Sequence, residues 1–192
     1  MRSLPSRTAL AVGIVLAAVT LSGCAGYGEE SADRAGPPPD KPFGQTCTQL
    51  PADGPGSMDS MGGIPVLAAI EQTKDLSTLA GLIKTAKAKD LFDSMDNVTV
   101  FAPTDEAFAK LPDAQRKTLG DQAAASDLLR RLIVVRDLHK SDLADHDYTS
   151  VQGAVLKATG SGDDYRVGGA QVLCGSIKTS NARLAMLDQV PS

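Results

Sequence analysis

The sequence predicts an α+β domain in which N-terminal helices pack on a wedge of mostly antiparallel β-sheet. Three observations predict it. Apolar residues recur at helical spacing between positions 64 and 132. One strand-like run, 98–102, is embedded among them. After Asp147 the chain changes to short β-branched segments separated by glycine-rich turns. Helices first and antiparallel strands afterwards argue for α+β rather than a parallel α/β sheet.

The elements follow in order. Gly62 and Gly63 precede an apolar stretch over 64–70, with Pro65 suited to a first helical turn. Asp75 or Ser77 is placed to cap a second helix, whose Leu76, Leu79, Leu82 and Ile83 share one face. Lys84, Lys87 and Lys89 mark its solvated side and C-terminal end. Leu91, Phe92 and Met95 suggest another short helical turn that fills core. The 98–102 strand ends at Pro103. Thr104 is a natural N-cap, and Asp105 and Glu106 fall in the first turn of the helix it starts, where the helix dipole favours negative charge. Phe108 lies one turn on and faces back toward the strand. Leu111-Pro112 closes that helix, Pro112-Asp113-Ala114 starts another, and 123–132 is helical with Leu128, Leu129 and Leu132 on its apolar face. Beyond Asp147, Val151, Val155, Tyr165, Val167, Val172, Ile177 and Leu184 lie in short strands, with turns at 160–164 and 168–169.

The N-terminus is organised differently. Residues 1–7 carry Arg2 and Arg7 and no acid, and 8–21 are apolar or small. That run is too short to span a bilayer comfortably as a mature helix and has the zones of a secretory signal. It closes on Leu21-Ser22-Gly23-Cys24, which resembles the lipobox of bacterial lipoproteins. In that family the signal, here 1–23, is removed and the cysteine sulfur carries a diacylglyceryl group. The resemblance therefore makes Cys24 a lipid anchor and places the chain outside the cytoplasm, on the cell membrane or envelope. An ordinary signal with a chance cysteine is the alternative. Two acyl chains anchor stably, at ~0.8 kcal/mol per buried methylene. A flexible tether is expected over 24–60. Its first part, 25 to about 45, has almost no bulky apolar residue to bury and is stiffened by Pro37, Pro38 and Pro39. The folded domain is then expected over 61–192.

Composition bounds the partners. The formal net charge is −4, and loss of Arg2 and Arg7 makes the mature chain more negative. That is the wrong sign for a phosphate backbone, and with no tryptophan and few aromatics there is no stacking platform, so nucleic acid is excluded as a partner. Of three cysteines, Cys47 and Cys174 remain after Cys24 is set aside. An even pair in an oxidising compartment predicts a disulfide, with two free thiols as the alternative. Asn97-Val98-Thr99 matches a glycosylation acceptor, which chance accounts for in a bacterial lipoprotein.

No nucleophile elbow, phosphate loop, dinucleotide fingerprint or zinc-protease motif occurs. Both histidines, His139 and His146, lie with Asp142, Asp145 and Asp147 in one stretch. Their spacing fits no standard metal motif. Asp163-Asp164 offers too few oxygens for calcium. No metal and no cofactor is expected.

The run Thr99-Val100-Phe101-Ala102-Pro103-Thr104-Asp105-Glu106-Ala107-Phe108 resembles the first signature of the fasciclin domain without a departure. Asn181-Ala182-Arg183-Leu184-Ala185-Met186-Leu187-Asp188-Gln189-Val190 is a looser match to the second. Val167-Gly168-Gly169-Ala170-Gln171-Val172 is similar to the family's hairpin. The resemblance spans about 62–191 and, with the lipobox and the cysteines, is to the mycobacterial secreted fasciclin antigens and their lipoprotein relatives. It implies a fasciclin-like fold, no catalytic set, and a cell-surface protein that mediates adhesion or another interaction with a cell-surface or extracellular protein. The alternative is a membrane-tethered carrier of a small apolar or lipid ligand, which a cavity between helices and sheet would favour. One departure bears on this: the Tyr-His pair of many family members is absent from 132–139, and no Arg-Gly-Asp occurs. Without the family, Phe101 and Phe108 read as large buried surface, and Asp188 in an apolar strand calls for hydrogen-bond donors.

Overall fold

The computed structural model describes residues 41–192. The signal expected over 1–23, the anchor expected at Cys24 and the part of the expected tether up to residue 40 lie outside the described residues.

Helices come first. They are α1 (Met58–Gly62), α2 (Val66–Gln72), α3 (Ser77–Thr85) and α4 (Lys89–Asp93). Strand β1 (Val98–Pro103) follows, then α5 (Asp105–Ala109), α6 (Asp113–Thr118) and α7 (Gln122–Arg131). The rest is sheet: β2 (Ile133–Val134), β3 (His146–Thr149), β4 (Val155–Ser161), β5 (Asp164–Val167), β6 (Ala170–Lys178) and β7 (Ala182–Leu187). The α+β expectation holds. Pro65 takes the N-cap position of α2 rather than its first turn.

The seven strands form one sheet in the order β2-β1-β7-β6-β5-β4-β3. Only β1 and β7 run parallel, with Val98 beside Ala182 and Pro103 beside Leu187. The parallel pair joins the first strand to the last, a contact that a chain of hairpins does not make. A bridge between Val134 and Ser150 brings the two ends of the sheet together.

Both faces of the sheet are covered. Val98, Val100 and Ala102 of β1, with Ala182, Leu184 and Met186 of β7, face a helical core that includes Met61, Ile70, Leu79, Phe92 and Leu129. Phe101, Ala185 and Leu187, alternating with them, face a second core with Tyr148, Leu156, Tyr165 and Val172. Two-residue periodicity in one strand thus feeds two cores. Phe101 and Phe108 are both buried, but on opposite sides of the sheet.

The folded unit begins before residue 61. Phe43 is 5% exposed and exchanges backbone hydrogen bonds with Gly175 at 3.2 and 2.8 Å. A Cβ on Gly175 would stand 2.5 Å from the Phe43 ring, so the glycine makes room for it. Four residues on, Cys47 is disulfide-bonded to Cys174 with Cα atoms 4.9 Å apart. Ser57 then caps α1 by accepting from Ser60 N at 3.2 Å. The tether expected up to residue 60 is therefore folded from residue 41. Sparse apolar composition hid this, because one aromatic and one cysteine fasten the segment.

Candidate functional site

The signature residues form a clasp that holds the helices to the sheet. Thr104 occupies the N-cap of α5, and its hydroxyl accepts from Ala107 N at 3.3 Å. Asp105 does more than face a helix dipole. Its carboxylate accepts from Ser77 Oγ and Thr78 N, both at 2.7 Å, and so caps α3 from another element. The N-cap position of α3 is Leu76, which has no side-chain acceptor, and neither Asp75 nor Ser77 takes that role. Burial of Asp105 pushes its pKa up, but the bonds from Thr78 and Ser77 outweigh it and hold the carboxyl below its ordinary range.

Asn181 repeats the device. Pro65 cannot cap α2 with its side chain, and Asn181 Oδ1 accepts from Val66 N at 2.9 Å instead. Its Nδ2 donates to Phe92 O at 3.1 Å, tying α4 to the same point. Thr99, 3% exposed, donates to Arg136 O at 2.8 Å and accepts from Leu138 N at 2.9 Å, fixing the chain that leaves β2. Asp188 lies just past β7 and is partly buried. Its Oδ1 accepts from Gln171 N at 2.7 Å, and Lys110 reaches its backbone oxygen at 2.8 Å. Val100, Ala102, Pro103 and Leu187 are buried packing residues.

Arg183 has no counterpart in the sequence reading. It is 7% exposed on β7 and pairs through Nε and Nη2 with the Asp137 carboxylate. His139 Nε2 lies 3.5 Å from Arg183 Nη2 and 3.7 Å from Asp137. An arginine in an otherwise apolar strand was the available signal, since burial of its charge requires a partner. His146 takes separate partners: its Nδ1 is 2.6 Å from Ala144 O and its ring stacks on Tyr148. Among the described residues no three His, Cys, Asp or Glu side chains converge on a metal position.

The interface between helices and sheet is filled by side chains such as Met61, Ile70, Leu79 and Leu184, each fully buried. Open hollows lie on the outer side of the helices. One of about 430 Å³ sits between α2, α3 and α4, over Leu67 and Ile83. Two more, of about 380 and 250 Å³, lie on either side of Leu119 beside α6.

Comparisons with known proteins agree with this architecture. The family profile described as the fasciclin domain matches residues 74–190. The chain is 35% identical over 158 residues to the cell surface glycolipoprotein MPB83 of Mycobacterium bovis, covering 77% of this chain and 70% of that protein. It is 32% identical over 158 residues to the immunogenic protein MPB70 of the same species, covering 77% and 80%. Human periostin is 26% identical over 131 residues, which is 67% of this chain and 16% of periostin. Among solved structures, a FAS1 domain pair from the insect cell adhesion molecule fasciclin I superposes with a TM-score of 0.57 at 14% identity, covering 66% of this chain and 50% of that one, a likeness of fold alone. The chain belongs to the fasciclin domain family.

Proposed function

We propose that this protein is an envelope lipoprotein, anchored through a lipid on Cys24, whose fasciclin domain binds a cell-surface or extracellular protein without catalysis. The observation that carries the reading is the family match combined with the lipobox: a relative sharing most of this chain's length is named a cell surface glycolipoprotein. The fold neighbour's description as a cell adhesion molecule supports an interaction module. Residues 41–60 belong to the folded domain, so the tether of this reading is shorter than 24–60.

The function is tested by binding of the purified mature chain, carrying Cys24→Ala, to intact cells. The reading predicts saturable binding that is lost when the cells are first treated with protease. Non-saturable or protease-insensitive binding contradicts it.

A further inference from the structure

Helix α6 is held to the rest of the molecule by very little. All six of its residues are exposed, and none is apolar enough to dock it. The hydrogen bonds and the ion pair of residues 112–120 stay inside 112–121, including Thr118 to Ala114 O at 2.9 Å and Arg116 to Asp113. Only the half-buried Leu111 and Leu119, at its two ends, pack against the helical core. A segment with so few apolar contacts opens at low cost.

On either side of it lie the two open hollows that share Leu119. One has Leu82 and Phe108 on its wall, the other Leu111, Leu128 and Val190. Their volumes are about 380 and 250 Å³, the first inside and the second below the range of roughly 300–1,000 Å³ usual for small-molecule sites. An extended hydrocarbon chain is far slimmer than a helix, which with its side chains is ~10–12 Å across. The second hollow is also lined by Arg131. Its guanidinium donates Nε to the neutral amide oxygen of Gln152 at 3.0 Å and forms no ion pair among the described residues. An uncompensated cation at the mouth of an apolar groove is complementary to an anion carrying an apolar chain.

We propose that the space under α6 binds a single-chain anionic amphiphile, with its acyl chain crossing beneath Leu119 and its carboxylate or phosphate monoester on Arg131. The site goes beyond the protein-interaction reading and stands independently of it. α6 is the lid, and lifting it joins the two hollows into one groove.

The test is titration of the mature Cys24→Ala chain, which carries no lipid of its own, with oleate, oleoyl lysophosphatidate and oleyl alcohol. A Cβ on Gly81 meets nothing within 4 Å and Gly81 lines the first hollow, so Gly81→Leu is chosen to occupy that hollow from α3 with a better helix former. Arg131→Gln removes the cation. The proposal predicts one oleate or lysophosphatidate per chain, at least tenfold weaker binding in each variant at unchanged melting temperature, and slower amide exchange over 113–120 when ligand is bound. Tighter oleate assigns a carboxylate head group and tighter lysophosphatidate a phosphate monoester. Absence of saturable binding by either anion overturns the proposal. So does wild-type affinity in Gly81→Leu, or oleyl alcohol binding as tightly as the anions.

Discussion

Asp105 and Asn181 each complete a helix that begins far away in sequence, α3 by 27 residues and α2 by 115. Thr104 was legible as a cap because its helix follows directly, and the structure gives it that bond. The long-range caps were not, because a carboxylate or amide names no partner until the fold brings one. Thr104→Ala is expected to lower stability by ~1 kcal/mol in chemical denaturation. Asn181→Ala removes acceptor and donor together and leaves Val66 N and Phe92 O without their partner, so the expected loss is ~1–3 kcal/mol by the same measurement. Asp105 also makes a pH prediction. Its folded pKa is depressed, so its stabilisation is present above the unfolded carboxylate range and is lost as pH falls through the folded value. Asp105→Asn should therefore be less stable than wild type at neutral pH and lose less stability on acidification. Denaturation curves at stepped pH that stay parallel for the two proteins would refute this.

At the scale of elements, the sequence pattern located α5, the start of α6 and α7 to within a residue or two, because a cap and prolines punctuate the first two and an apolar face marks the third. It missed β2, which is two residues long and gives no period to read. It also could not foresee that β1 and β7 pair in parallel, since the residues of each strand satisfy either direction. The segment leading to α1 was misplaced in the tether for a different reason. Its hold on the sheet comes from Phe43 over Gly175 and from the Cys47–Cys174 disulfide, not from an amphipathic pattern. The disulfide spans 127 residues, and closing so long a loop is worth up to ~5 kcal/mol in the chain-entropy account. The Cys47→Ser, Cys174→Ser double variant is expected to lose most of that in urea denaturation. Gly175→Ala crowds Phe43 and should lower the melting temperature even with the disulfide intact. Phe43→Ala, Gly175→Ala together should then be less destabilised than the sum of the two single changes, a coupling read by double-mutant cycle.

For the whole molecule, one sheet with a core on each face explains why the two family signatures sit where they do. The first runs along β1 and into α5, the second along β7, and these two strands are neighbours near one end of the sheet, with β2 beyond them. Their polar residues cap helices on one side and pin loops on the other. The fold class and the location of this clasp were legible in the sequence. The buried Arg183–Asp137 pair and the lightly held α6 were not, because both depend on what the completed fold leaves beside them. The clasp residues are accounted for by capping and packing, and the proposed function rests on the family match and the lipobox. The most direct test is photo-crosslinking on living cells with the full-length chain, followed by mass spectrometry, with Cys24→Ala as the control. The account predicts one dominant protein partner, crosslinked through residues of 41–192 and absent from the cell-surface fraction of the control. A scatter of unrelated membrane neighbours, or the same products in the control, would contradict it.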